Sequence, residues 1–341
     1  MTTLQAEKLN TEKAASVGDI RAEQSGFEKL ERGSRKSLAL LIVRQMRWKQ
    51  WTKNLLCYAP LLFSGKFYDL AALSAATQCF LSFCMISSGI YVLNDVMDVK
   101  ADRLHPVKRF RPIASGLLNI QLALLIGCML VGGGLLTAYS VRHSLALVGF
   151  GYIVLNVCYS LGLKNFAILD ILCIASGFVF RAIAGAVAIS VLPSSWFLLC
   201  TSLGALFLAM EKRRNELAVL LHDSTMHRKA LGDYSLSLIK RFESLVVPSL
   251  LTSYAFYTFQ SPHGQWMMMT IPAVLYGIMR YQLLSERGTN TGTPEEVLLK
   301  DKPIQLTILV WLVISSFVVY AHPREIVHSI SEGFDSFRII R

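Results

Sequence analysis

Charge is scarce in this sequence. Only 17% of its 341 residues are Asp, Glu, Lys or Arg, against 53% that are hydrophobic, and the mean hydropathy is +0.45. A soluble fold of this length needs a solvated surface, and so few charged groups do not supply one. The charges are also unevenly spread: they gather in the first 54 residues and in a few later clusters. Cysteine chemistry is missing too. The seven cysteines (57, 79, 84, 128, 158, 173 and 200) lie in or beside apolar runs with no CxxC or Cys/His spacing. They read as small core or lipid-facing residues, not as a disulfide frame or a zinc site. No secretory signal is visible, because the first 36 residues are polar and "LALLIV" at 38–43 is too short for a signal core. The net charge of +11 does not imply a nucleic-acid partner. Its Lys and Arg sit beside apolar runs, where a positive-inside bias accounts for them.

What remains is the layout of an all-α, polytopic membrane protein. A bilayer-crossing helix needs about 20 mostly apolar residues. About nine spans are therefore expected, near 52–66, 70–93, 118–140, 144–163, 167–189, 195–210, 244–260, 267–284 and 304–321. The connections at 94–117 and 211–243 are rich in Lys and Arg, whereas those at 64–69, 141–143 and 190–194 carry almost none. A cytoplasmic N-terminus and an odd number of spans then put the basic connections on the cytoplasmic side of the membrane. Residues 1–36 are expected as a polar, disordered cytoplasmic segment. Residues 37–321 are expected as one transmembrane domain, and 322–341 as a short amphipathic extracytoplasmic tail.

One stretch carries most of the chemistry: "YVLNDVMDVKADRLHPVKRFRPIASG", residues 91–116. If the second span continues as a helix past Leu93, Asn94, Asp95, Asp98 and Asp102 fall within an arc of about 100°. Like charges at i,i+4 repel by a few tenths of a kcal/mol, and more beside a low-dielectric wall. A divalent cation removes that cost. Oxygen donors without His or Cys suit Mg²⁺, which keeps waters and shares its other positions with substrate phosphates. Lys108, Arg109 and Arg111 follow at once, as cations that take the remaining oxygens of a diphosphate.

Other polar groups cluster at span ends. "RQMRWKQWTKN" (44–54) sets Arg44, Arg47, Lys49 and Lys53 around Trp48 and Trp51, as an interfacial anchor or, at Lys53 and Asn54, as a face turned into the bundle. "YSLGLKN" brings Tyr159 and Lys164 to the end of the fourth span. Asp170 and Arg181 lie within the fifth, where ionisable groups face a bundle interior or a polar cavity. The sixth span ends in "EKRRNEL", so Glu211, Lys212, Arg213 and Glu216, with Arg228 further on, form a second charged segment. Its mixed signs fit a phosphate clamp better than a second metal site.

With these residues assembled, the chain resembles the UbiA superfamily of intramembrane prenyltransferases. "NDVMDVKADR" matches its first aspartate-rich motif, NDxxDxxxD, and "RFRPIASG" its RxRPxxxG continuation; the resemblance runs over roughly residues 44–321. It implies a nine-helix bundle around a central cavity, capped on the cytoplasmic side and open sideways to lipid, with Mg²⁺ binding a diphosphate. "QWTKNLLCYAPLLFSG", "YSLGLKN", "LDILCIASGFVFRAIAG" and "EKRRNEL" narrow the resemblance to the decaprenyl-phosphate phosphoribosyltransferase branch. The implied substrates are phosphoribosyl pyrophosphate and a polyprenyl phosphate, with membrane lipids around the bundle. Asn94, Asp95, Asp98 and Asp102 would then serve the metal and diphosphate. Lys53, Lys108, Arg109, Arg111, Tyr159, Lys164, Lys212 and Arg213 would contact phosphates. Aromatic prenyltransferases of the superfamily have a second acidic motif where this chain has "EKRRNEL", which disfavours the alternative of prenyl transfer to an acid such as 4-hydroxybenzoate. A cation transporter is disfavoured because its acids belong near the bilayer midplane. The lipid phosphate nucleophile is already anionic, so the lack of a Ser/His/Asp or Cys/His set is no objection. Oligomeric state is not readable.

Overall fold

The computed structural model describes residues 38–104, 108–220, 232–261, 264–287, 297 and 300–320. The expected tails at 1–36 and 322–341, and Arg228, lie outside the described residues. All regular structure among the described residues is helical. The chain opens with α1 (Leu38–Gln45), a 3-10 helix (Trp48–Tyr58) and the short α2 (Ala59–Phe63). There follow α3 (Leu70–Met97), α4 (Val99–Leu104), α5 (Ile120–Val141), α6 (His143–Leu161) and α7 (Leu169–Ala188). The last four are α8 (Ser195–Leu220), α9 (Leu236–Gln260), α10 (Ile271–Glu286) and α11 (Lys302–Tyr320).

Polar residues set the helix starts. Asp69 accepts hydrogen bonds from the Ala71 and Ala72 amides at the head of α3, Asn119 from Gln121 at the head of α5, and Ser235 from Leu238 at the head of α9. Each satisfies a donor that the first turn leaves orphaned.

The protein is a multi-pass membrane protein: α3, α5, α6, α7, α8 and α11 are long and apolar enough to cross a bilayer. The other three expected spans differ for local reasons. Residues 52–66 become a 3-10 helix and the five-residue α2, with Pro60 in its first turn. Residues 244–260 lie in α9, whose opening turns carry Lys240, Arg241 and Glu243 and whose interior holds Pro248. Residues 267–284 are divided between a 3-10 helix at Gly264–Thr270 and α10, which at 16 residues is short for a crossing.

α3 is the hub. Its contact with α5 is the most extensive among the described residues, and small residues permit it. A Cβ on Gly89 would lie 2.7 Å from the Gly127 carbonyl oxygen, and one on Gly134 would lie 2.9 Å from that of Ser82. The Ser82 hydroxyl donates to the Gly134 carbonyl at 2.8 Å, so close backbones and a polar tie replace the hydrophobic drive that lipid removes. Phe83, Ile86, Leu145, Tyr152 and Ala184 join α3, α6 and α7 in the largest apolar core. Leu125, Met129 and Leu136 of α5 and Leu309, Val313 and Phe317 of α11 point outward, as a lipid-facing surface requires.

The 3-10 helix lies against α7, and Gly185 makes that possible: an added Cβ would stand 2.1 Å from the Cys57 carbonyl oxygen. The contact is with backbone, so no side-chain rotation relieves it. Gly185→Ala is expected to destabilise the fold by about 3 kcal/mol or more. Thermal unfolding in detergent reads the loss, and an unchanged Tm would show that this approach is not tight.

Candidate active site

The 3-10 helix, α3, α6, α7 and α8 enclose a cavity of about 210 Å³. Four cations, Arg47, Lys53, Arg181 and Lys212, line it together with Gln50, Tyr91, Asn94, Asn156 and Tyr159. Among the described residues that line it there is no Asp or Glu. Such a wall suits a multiply charged anion.

Arg181 comes from α7. It is buried, and its guanidinium donates to the Asn54 Oδ1 at 2.7 Å, the Gly177 carbonyl at 2.6 Å and the Tyr152 hydroxyl at 2.8 Å. The rings of Tyr152 and Phe178 lie 4.9 and 5.6 Å from its central carbon. Every one of these partners is neutral. Asn54, wholly buried, is itself oriented by Cys84 and Ser87. The positive charge is therefore held firmly in place while its field stays uncancelled at the cavity.

Lys53 lies outside the six spanning helices. Burial, then the nearby charges of Arg181 and Arg47, pushes its ammonium down from the usual lysine value to about 7. It donates to the Gln50 side chain at 2.8 Å. An anion among these groups reverses the repulsion that lowers it.

The acidic motif is divided in two. α3 ends at Met97, and Asp98 links it to α4, with its amide still bonded to the Asn94 carbonyl and its carbonyl to the Asp102 amide. Asp95 and Asp102 are buried against arginines. Asp95 accepts from Gln45 at 2.6 Å, Arg47 at 2.5 Å and Arg111 at 3.0 Å, and Arg111 reaches Asp102 at 2.7 Å. Arg47 adopts a left-handed backbone (φ 53°, ψ 50°) at the elbow between α1 and the 3-10 helix. That strained conformation accompanies its reach to Asp95 and its stacking on Tyr91. Asn94 and Asp98 belong to the other half. Asn94 lines the cavity and accepts from Ser160 at 3.0 Å. Asp98, one turn on, is half-exposed, with the Lys164 ammonium 3.8 Å away. The expectation that all four residues share one face is thus corrected: Asn94 lines the cavity, Asp98 stands half-exposed beside Lys164, and Asp95 and Asp102 turn to the arginines.

The remaining expected residues sort similarly. Tyr159 and Lys212 line the cavity. Lys108 and Arg109 are exposed on the loop, Arg109 lying over the Phe110 ring, and neither is among the lining residues. Arg213 is not turned to the cavity. Fully buried, it pairs with Asp170 at 2.7 Å and with Glu216, while Tyr234 donates to Asp170 at 2.7 Å. Glu211 is also enclosed, between Ser285 and Arg214. The "EKRRNEL" segment therefore faces two ways on α8: Lys212 toward the site, its neighbours into ties that fasten α8 to α7 and α10. Buried charges need such partners, since an unpaired one costs several kcal/mol.

Gln45, Gln50, Tyr91, Tyr152 and Asn156 belong to no motif in the sequence, and Asn54 stands out there only as a candidate inward-facing group. Asn156 had a usable signal, as a lone amide inside the apolar run "YIVLNVCYS". Tyr91 and Tyr152 had none.

Among the described residues no group of three or more His, Cys, Asp or Glu is arranged to hold a metal ion. The oxygen donors at this end of α3 are one carboxamide on the cavity wall, Asn94, and one half-exposed carboxylate a turn further on and outside that wall, Asp98. Two hard oxygen ligands fit Mg²⁺, which takes its other positions from water and substrate phosphates.

Comparison with known proteins gives a consistent result. The model of the UbiA prenyltransferase family matches residues 36–294. A decaprenyl-phosphate phosphoribosyltransferase of Mycolicibacterium smegmatis is 35% identical over 295 residues, covering 82% of this chain and 92% of that protein. The enzyme of the same description from Corynebacterium glutamicum is 35% identical over 300 residues, covering 84% and 89%. A solved structure of a UbiA homolog from Archaeoglobus fulgidus, bound to GPP and Mg²⁺, superposes with a TM-score of 0.62 over 82% of this chain and 99% of that one. At 16% identity this last likeness speaks for the fold alone.

Proposed function

The chain belongs to the UbiA prenyltransferase family and is a membrane enzyme of that type, and on this premise we propose that it transfers the 5-phosphoribosyl group from phosphoribosyl pyrophosphate to a polyprenyl phosphate. The observation that carries this reading is the cavity wall, with four basic side chains and no carboxylate among its described residues. Lys212 stands on it in the stretch where a second acidic motif would otherwise be sought, which suits a donor with an additional phosphate. The names of the relatives point the same way.

In the proposed reaction an anionic oxygen of the lipid phosphate bonds to the anomeric carbon of the ribose. The bond from that carbon to the diphosphate oxygen breaks, and its electron pair leaves with the diphosphate. The nucleophile carries its charge already, so no side chain must remove a proton. The protein's task is to hold two anions together against their repulsion. Arg181, Lys53, Arg47 and Lys212 screen that repulsion and take up charge on the leaving group. Asn94 and Asp98 would hold a Mg²⁺, which when bound neutralises part of the diphosphate charge and makes it a better leaving group. Asp95 and Asp102 fix Arg47 and Arg111. The end of the bundle that carries these groups faces the cytoplasm of a bacterial cell, in line with its Lys and Arg excess.

The direct test uses purified protein in detergent with Mg²⁺, a polyprenyl phosphate and radiolabelled phosphoribosyl pyrophosphate. Label is expected in the organic phase and is expected to be lost on adding EDTA. Turnover of a prenyl diphosphate with an aromatic acid, and no labelled lipid, would replace this reading with aromatic prenyl transfer.

Lys53 supplies a second readout. With its free value near 7, it is mostly neutral at pH 8. A diphosphate beside it raises the value, so donor binding at pH 8 is expected to take up protons through this group. Calorimetry in two buffers of different ionisation enthalpy measures the uptake. Lys53→Met is expected to take up fewer protons, and equal uptake by both proteins would remove Lys53 from the donor site.

A further inference from the structure

We propose that the elbow between α1 and the 3-10 helix is where the isoprenoid phosphate acceptor docks, and that Arg47 is the wall it shares with the donor. The proposal rests on the phosphoribosyl-transfer reading and names the acceptor's place within it.

A second pocket, of about 490 Å³, opens at this elbow. Leu40, Val43, Arg44, Arg47, Trp48 and Lys49 line it. Leu40, Val43 and Trp48 each expose half or more of their surface, an apolar face that water covers poorly. Arg44 and Lys49 stand among them, and neither has a carboxylate within ion-pair distance among the described residues. Apolar and cationic groups thus alternate over a few residues, matching a hydrocarbon chain that ends in a phosphate.

Depth agrees with this occupant. The Gln45 side chain donates to Asp95, which pins the elbow to the charged end of α3, where hydrocarbon gives way to water. Trp beside Lys or Arg is characteristic of that boundary.

Continuity selects the acceptor over a bystander lipid. Arg47 and Gln50 line both this pocket and the central cavity. A phosphate drawn in past Arg44 and Lys49 next meets Arg47, and beyond Arg47 lie Lys53 and Arg181. The two anionic substrates then approach from opposite sides of one guanidinium. Its position is set by Asp95, by the Tyr91 ring and by the left-handed backbone. A phosphate on the end of a single chain can make that approach, whereas a diacyl lipid brings two tails and a glycerol to the same opening.

Photolabelling of the full chain in nanodiscs tests the site. The probe is a short polyprenyl phosphate with a diazirine in its first isoprene unit, followed by peptide mapping. Label is expected within residues 40–49, displaced by unlabelled polyprenyl phosphate and not by phosphatidic acid. Label elsewhere, or equal displacement by phosphatidic acid, overturns the proposal. In the transfer assay, the double variant Arg44→Gln/Lys49→Gln is expected to raise KM for the acceptor about tenfold and to leave that for the donor within about twofold. A rise for the donor instead also overturns it. Labelling needs neither donor nor turnover, so the two readings fail separately. Label on the elbow without phosphoribosyl transfer rejects the reaction and keeps the lipid-phosphate site. Transfer with label outside the elbow rejects the site alone.

Discussion

Arg181→Met is expected to lower phosphoribosyl transfer by about 10²–10³-fold while leaving the bundle as stable as before, or more so. The two effects have one origin. A buried guanidinium surrounded by an amide oxygen, a carbonyl and a hydroxyl keeps a full charge out of water with only dipoles in return. Such an arrangement is costly to folding, and a methionine of similar length removes the cost. What the arginine offers in exchange is a fixed positive charge at the cavity, where a diphosphate must be held and then released. Arg181→Lys keeps the charge but not the three-way fork, so a smaller loss, of about tenfold, is expected. Initial rates with labelled donor and thermal unfolding in detergent, run on the same preparations, separate the outcomes. A methionine variant with wild-type rates would show that Arg181 serves only the packing of α7 on the 3-10 helix.

Asp95→Asn and Asp98→Asn are expected to fail in different ways, although both residues belong to one motif. Asp95 accepts bonds from Gln45, Arg47 and Arg111. Its neutral replacement leaves two guanidinium groups short of a counter-charge and loosens α1, the elbow and the loop after α4 together. The expected cost is about 2–3 kcal/mol, below the figure for a fully buried pair because both arginines remain more than a quarter exposed. Activity falls with it. Asp98 has a half-exposed side chain whose nearest cation is Lys164 at 3.8 Å, so Asp98→Asn leaves Tm unchanged. Its expected defect is in the metal-dependent step, a rate loss of about 10²-fold that higher Mg²⁺ partly restores. If Asp98→Asn lowered Tm as Asp95→Asn does, the division of the motif would be wrong. If Asp95→Asn kept both its Tm and its rate, the anchoring role of Asp95 would fall.

The contrast within that motif also marks how far the sequence could be read. Asn94, Asp95, Asp98 and Asp102 stand out by spacing, and helical periodicity groups them on one side. Periodicity cannot supply the positions of Arg47 and Arg111. Those two arginines arrive from separate elements, and they divide residues that the helix alone would keep together. Asp170 and Arg213 follow the same logic. Asp170 is conspicuous as a charge in an apolar run and Arg213 as part of a charged segment, but only their mutual 2.7 Å pairing tells that they fasten α7 to α8 and do not face the cavity. Arg181 looks equally conspicuous and has the opposite fate, because its partners are neutral. The first expected span shows the limit on the fold side: residues 52–66 are apolar enough to suggest a crossing, and it is packing against Gly185 that accompanies a 3-10 segment ending in the short α2.

Composition and the spacing of apolar runs were enough to determine a helical membrane protein, since both follow from what a bilayer demands of any chain. The charged ends of those runs were enough to locate the acidic and basic groups of the site, and the motif residues were enough to suggest the family. Only the tertiary structure decided which charges cancel one another and which remain for a ligand. That depends on ångström distances between residues up to 127 positions apart, as Asn54 and Arg181 are. Local sequence encodes the charge a residue carries, whereas the partner that neutralises it is chosen by the packing of the whole bundle.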